Sequence, residues 1–213
     1  MDKLTRGKFI TVEGQDGAGK STNLQVVETF LQENDIDFVT TREPGGTQFG
    51  EAIRELLLNS GDNIINDDAE LMLIFAARAQ HIDDLIEPSL SKGVWVLCDR
   101  FTDTTYAYQG GGRGIDKNII AELEKTVQGD LQPDLTILLD LPTDLSESRA
   151  GERSSPDRFE SQDQQFKENV RRAYLQLADD NPDRIKVVDA SLSLDRVEQN
   201  VRNLLLDFFE TIN

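Results

Sequence analysis

Gly14-Gln15-Asp16-Gly17-Ala18-Gly19-Lys20-Ser21, set between the β-rich run Phe9-Ile10-Thr11-Val12 and a helical pattern from Ser21 to Glu33, decides the fold. It fits G-x-x-x-x-G-K-[ST], and the spacing has a mechanical reason. Glycines let the backbone wrap round phosphate oxygens with its N–H groups turned inward. The helix that follows adds the positive end of its dipole. In that arrangement Lys20 reaches the β- and γ-phosphates of a nucleotide, and the Ser21 hydroxyl ligates Mg²⁺. The expected nucleotide contacts are Gly14, Gln15, Asp16, Gly17, Ala18, Gly19, Lys20, Ser21 and Thr22. The chain lacks the Asn-Lys-x-Asp motif that reads the base in GTPases.

Outward from the loop, short apolar runs alternate with longer helical patterns. Strands are expected at Phe9–Val12, Phe38–Thr40, Val94–Cys98 and Leu135–Leu141, with a weaker last one at Arg184–Asp189. Helices are expected at Ser21–Glu33, Phe49–Leu58, about Asp68 to Leu90, and about Leu194 to Phe209. Strands separated by helices predict an α/β fold with a five-stranded parallel sheet and helices on both faces. Ligands then bind at the carboxyl ends of the strands, where the loop already lies. The 213 residues suit one domain, with no repeat and no linker rich in Pro, Gly or Ser.

Forty acidic side chains against 22 basic ones give a net charge of −18. Such a surface repels nucleic acid polymers and anionic membranes, and a nucleotide site on it has to be locally basic. Met1 to Lys8 shows no apolar signal core, and no apolar run approaches the ~20 residues that span a bilayer. The cytoplasm is the expected location. Cys98, the single cysteine, lies in an apolar run and reads as a small core residue. His81, the single histidine, belongs to no metal-binding pattern.

Further along, Thr41-Arg42-Glu43-Pro44-Gly45-Gly46-Thr47 is followed by Phe75-Ala76-Ala77-Arg78, Asp99-Arg100-Phe101, Tyr106-Ala107-Tyr108-Gln109-Gly110-Gly111-Gly112-Arg113-Gly114-Ile115, Pro133-Asp134-Leu135-Thr136 and Asp157-Arg158-Phe159-Glu160. In order and spacing these segments resemble the bacterial thymidylate kinases over essentially the whole chain. The resemblance implies transfer of the γ-phosphate of ATP to dTMP, giving dTDP, with Mg²⁺ required and no covalent intermediate. It implies one nucleoside-monophosphate-kinase-like domain over residues 1–213, a lid at about 147–161, and a homodimer. Two other readings stand beside it: another (deoxy)nucleoside monophosphate kinase, and a non-catalytic ATP-binding regulator.

The resemblance also implies roles. Lys20, Asp16, Asp99, Arg100 and Arg153 form the catalytic set. Arg100 clamps the acceptor phosphate, Asp99 helps hold Mg²⁺, and Asp16 orients the acceptor sugar. Glu43 lies near metal and acceptor, Arg42 near the monophosphate, Arg54 is another phosphate contact, and Pro44 belongs to the dTMP site. Arg78 and Gln109 read thymine, Thr105 lies near the base, and Tyr106 packs by the deoxyribose. Relatives usually carry Phe four residues before the matched Arg78; here it is Ile74, so either the neighbouring Phe75 stacks on thymine or the contact is aliphatic. Some relatives place Arg after the loop acid, where this chain has Gly17. Arginine is then expected from the lid, through Arg149, Arg153 or Arg158, with Arg153 foremost. Such arginines suit transfer between anions, because catalysis there is positioning plus charge neutralisation.

Overall fold

The computed structural model describes residues 5–59, 65–150, 158–159 and 161–212, without the side chains of 147–150. In chain order the elements are β1 (Phe9–Gly14), α1 (Lys20–Glu33), β2 (Phe38–Arg42), α2 (Gln48–Leu58), α3 (Asp67–His81), a π-helical turn (Ile82–Ile86) and α4 (Glu87–Ser91). There follow β3 (Trp95–Asp99), α5 (Thr102–Thr105), a second π-helical segment (Tyr106–Gly112), α6 (Lys117–Gln128), β4 (Leu135–Asp140), α7 (Thr143–Ala150), α8 (Gln164–Asp180), β5 (Ile185–Asp189) and α9 (Leu194–Ile212). The strands pair in parallel in the order β2-β3-β1-β4-β5.

The expected five-stranded parallel sheet is present, and its alternation explains the layers. Ile10, Val12, Leu97, Leu135, Ile137 and Leu139 join α1 and α9 in one core. Their neighbours along the strands point the other way. Phe9, Val96 and Cys98 meet α4 and the first π-turn, while Leu138 and Ile185 meet α8. β1, buried along its whole length, is the central strand, and the edge strands β2 and β5 are half-exposed. Cys98 is fully buried, as its apolar run predicts.

Two differences from the sequence reading bear on the site. The long helix expected at about Asp68 to Leu90 is interrupted by the π-turn at Ile82–Ile86. The region after Asp99, read as motif without helix, is helical, and its π segment packs on α8. At Gly112 a Cβ would lie 2.5 Å from the Phe166 ring, so only glycine allows that approach. Among the described residues no helix is long and apolar enough to cross a membrane.

Candidate active site

The loop leaves the central strand at Gly14 and enters α1 at Lys20. Gly19 holds φ +88°, a conformation a side chain resists, and this turns the chain into the helix. Lys20 Nζ donates to the carbonyls of Gly14 and Gln15 at 3.2 and 3.0 Å and lies 3.5 Å from Asp16 Oδ1. Burial lowers its pKa, and the neighbouring Arg100 adds to the effect. Ser21 and Thr22, in the first turn of α1, are exposed. The loop is braced from behind: Gln15 Nε2 donates to Lys167 O, and Ser146 Oγ donates to Asp16 O.

Arg100 stands at the end of β3, beside this loop. Its backbone is left-handed (φ +70°), which is uncommon for a residue other than glycine and clusters at functional sites. The guanidinium reaches Asp16 Oδ1 at 2.7 Å and the hydroxyls of Tyr108, Tyr174 and Thr104 at 3.3 to 3.4 Å. Burial opposes the charge on Asp16, but Arg100 and Lys20 outweigh it and hold that carboxyl well below the usual range. Glu13, fully buried beneath, organises the same group. Its carboxylate accepts from the Phe101 N–H at 2.7 Å, from Thr104 Oγ1 at 2.5 Å and from Tyr174 OH at 2.9 Å.

Burial, reinforced by the Asp103 carboxylate, pushes Glu13 from the ordinary 4.5 up to about 7. The folded protein thus holds this proton more tightly than the unfolded chain. The resulting stability is complete below about pH 4.5 and is lost as pH rises toward 7. From about pH 5 to about pH 8 the unmodified protein is expected to lose about 2–3 kcal/mol more unfolding free energy than Glu13→Gln. Urea titrations across that range check this; parallel curves for the two proteins would refute it.

A cleft of about 630 Å³, open mouth included, runs from the loop acid past Arg100. Asp16, Glu43, Pro44, Arg54, Ile74, Arg78, Arg100, Thr105 and Gln109 line it, so the fold brings together most of the expected acceptor residues. Arg54 Nη1 donates to Pro44 O at 3.0 Å. Burial first, and then Arg42, lowers its pKa, which marks a spot short of negative charge. Arg78, 1% exposed, gives Nε to Glu43 Oε2 at 2.7 Å and Nη2 to Thr105 Oγ1 at 3.0 Å. Among the described residues, the buried side-chain atoms without a hydrogen-bond partner include Arg78 Nη1, Gln109 Oε1 and Asp99 Oδ1.

Four expectations change. Glu43, expected near a metal, has both oxygens committed: Oε2 to Arg78, and Oε1 to His81 Nδ1 at 2.9 Å. It anchors the cleft wall, with each oxygen already bonded to a buried cationic or imidazole partner. Arg42 turns away from the cleft to pair with Glu51 at 2.8 Å on the surface. Phe75 packs in the core with Leu71 and Ile120, beneath the Arg78 guanidinium, while Ile74 lines the cleft, so of the two it is Ile74 that faces the space a ligand would fill. Tyr106 also belongs to that core and donates to Glu124, so it does not line the cleft.

The tyrosine in the cleft is Tyr108, whose hydroxyl donates to Asp16 Oδ2 at 3.2 Å. Residues two apart on a helix face opposite ways, so only one of the two tyrosines could face the cleft; the motif alone does not say which. Leu57 and Thr104 also line it and carry no signal in the sequence; Phe159 lines it too, and the sequence marks it only as part of the Asp157–Glu160 segment. Arg153 lies outside the described residues, as does the side chain of Arg149. Arg158, by contrast, is placed, and it reaches Glu70 Oε2.

A phosphate loop on the central strand, a buried arginine on the neighbouring strand and an acceptor-sized cleft beside them define a P-loop kinase of the nucleoside monophosphate type. The thymidylate kinase family profile matches residues 12–201, and the chain belongs to that family. It is 52% identical to thymidylate kinase of Pseudomonas putida over 204 residues, 96% of this chain and 97% of that one. It is 50% identical to thymidylate kinase of Teredinibacter turnerae over 202 residues, 95% and 98% of the two chains. A crystal structure of thymidylate kinase from Ehrlichia chaffeensis superposes with a TM-score of 0.77 at 34% identity, covering 94% of this chain and 99% of that one.

Proposed function

We propose that this protein transfers the γ-phosphate of ATP to dTMP, giving dTDP. The observation that carries the acceptor assignment is the pair of orphaned atoms in the cleft wall. Arg78 Nη1 is a buried donor in want of an acceptor, and Gln109 Oε1 is a buried acceptor in want of a donor. A thymine edge supplies both, a ring carbonyl and a ring N–H. Cytosine presents an amino group and a ring lone pair instead, and would leave both protein atoms unpaired at a large penalty. Pro44, Leu57 and Ile74 give the base an apolar wall. Arg54 and Arg100 supply the positive charge for the monophosphate, and Asp16, turned toward Tyr108 and Arg100, stands where the sugar has to pass.

The loop's backbone N–H groups and Lys20 hold the ATP phosphates. Arg100 bridges donor and acceptor, neutralising charge on the transferring group, so that in-line attack by a dTMP phosphate oxygen suffices. Asp99 Oδ1 and the Ser21 hydroxyl are hard oxygen donors that fit Mg²⁺ and its waters. When bound, Mg²⁺ would supply positive charge that offsets the negative charge of the phosphates. The reading extends to one domain with a lid at about 147–161 that delivers Arg149 or Arg153, to the cytoplasm, and to a homodimer. Exposed Phe49, Leu56 and Met72 on α2 and α3 support the last.

ADP formation from Mg-ATP with dTMP, dUMP, dCMP, dGMP and dAMP as separate acceptors, beside a control without acceptor, tests the proposal. The expected result is fast turnover with dTMP, weaker turnover with dUMP, and none above control for the rest. A different preferred acceptor would reject thymine, and binding of ATP without transfer to any acceptor would reject the kinase.

A further inference from the structure

Behind the cleft wall lies a carboxylate that no step above uses. Glu70 sits on α3 on the same face as Ile74 and Arg78, one and two turns along, and it is fully buried. Its Oε1 accepts from Gln109 Nε2 at 2.7 Å. Its Oε2 accepts from Arg158 and, at 3.4 Å, from Arg113 Nη2, while Arg113 Nε lies 3.4 Å from Oε1. A buried carboxylate requires such partners. What they leave is one oxygen directed at the side-chain amide of Gln109.

We infer that Glu70 is the positioning residue that fixes which end of the Gln109 amide meets the base, and so makes the site read a ring N–H rather than a ring lone pair. The inference rests on the reading that Gln109 faces the base edge. An amide has a donating end and an accepting end of nearly equal size, and a free glutamine can turn either into a cleft. A carboxylate accepts only. Turning the amide over would press Gln109 Oε1 against Glu70 Oε1 in a site where water reaches neither. Gln109 Nε2 is therefore held toward Glu70, and Oε1 is held in the cleft wall, unpartnered. Base selectivity then resides partly in a residue outside the cleft lining.

Glu70→Gln tests this, because a glutamine can donate or accept and leaves the Gln109 amide free to turn. Two quantities are measured for each protein: KM for dTMP, and the inhibition constant of 5-methyl-dCMP in competition with dTMP. This pair of nucleotides shares the 5-methyl group, the sugar and the phosphate. The mismatch at ring position 4 meets Arg78 in both proteins and divides out when their ratios are compared. In the unmodified protein the ratio of the two constants is expected to be large. In Glu70→Gln it is expected to fall about tenfold or more, the scale of one buried hydrogen bond, through tighter binding of 5-methyl-dCMP.

A variant in which both constants rise together, with the ratio unchanged, would show a merely structural role and overturn the inference. An unmodified protein that fails to distinguish the two nucleotides would instead overturn the reading of Gln109, and the inference with it. Should Glu70→Gln not fold, the unmodified protein carries the test. The Gln109 side-chain amide, assigned by its disappearance in Gln109→Leu, is expected to exchange slowly with solvent and to show two well-separated proton resonances. Rapid exchange would overturn the inference.

Discussion

Replacing Arg100 by alanine is expected to lower kcat for phosphoryl transfer to dTMP by roughly 10³-fold or more, with little loss of fold. The guanidinium lies beside both the phosphate loop, through Asp16, and the acceptor cleft. It is therefore the side chain placed to neutralise charge on both phosphates as they approach. Alanine removes it but meets the same left-handed backbone that arginine already tolerates, so no new backbone strain arises. Asp16 keeps Lys20 nearby and is partly solvated. Arg100→Lys retains a charge without the planar fork and should fall between the two. Steady-state ADP release alongside thermal melts separates chemistry from folding. A kcat within tenfold of the unmodified protein would remove Arg100 from the mechanism.

Glu43→Ala is expected to destabilise the protein by about 3–5 kcal/mol, because it strands a buried guanidinium. Glu43 receives Arg78 at 2.7 Å and His81 at 2.9 Å, and both partners are essentially inaccessible to water. His81 in turn meets Thr41 Oγ1 at 2.7 Å through its other nitrogen, so the loss propagates to the end of β2. Arg78, released from its anchor, should also bind thymine less well and raise KM for dTMP. Urea unfolding gives the first quantity and dTMP saturation curves the second. A loss of less than about 1 kcal/mol would mean that the network relaxes, and that the carboxylate is not what holds Arg78 in place.

The strands and the loop were legible because each rests on a local pattern. Phe9 to Val12 and Leu135 to Leu141 are apolar on both faces, as a strand covered on both sides must be. The sequence reading assigns no helix between Asp99 and Leu135, nor between Leu141 and Arg184. α8 carries a readable stripe in Phe166, Val170, Ala173, Tyr174 and Ala178, capped by Asp163, whose side chain accepts from the Phe166 N–H. α6 offers less, with Ile120 its one fully buried apolar residue, and its face is set by tertiary contact.

Cleft residues were legible where the ordered motifs of the resemblance point to them, as for Arg78, Arg100 and Gln109, all of which line the cleft. They were not where direction decides. Whether Tyr106 or Tyr108 enters the cleft depends on the phase of a π-helical segment, and a π-turn shifts that phase in a way no local rule predicts. The direction of Arg42 and the partners of Glu43 were hidden for a similar reason. A charged residue after a strand can face a ligand or a partner side chain, and here His81 and Glu51 are the partners. Glu70 carries a weak signal in hindsight: an acid two turns before Arg78 on one helical face needs a cation or a donor, and the arginines that answer it lie 43 and 88 residues away.

The register of the sheet has one further consequence. Val12 pairs with Asp99 across β1 and β3, and the Arg100 N–H donates to the Val12 carbonyl at 3.0 Å. The phosphate loop and Arg100 are thus neighbouring teeth of one comb, cut at the ~4.8 Å spacing of adjacent strands. That gauge is set by peptide geometry and is indifferent to what the outer helices do. On the proposed reading, the aim of one phosphate at the other is expected to endure until the ladder itself comes apart.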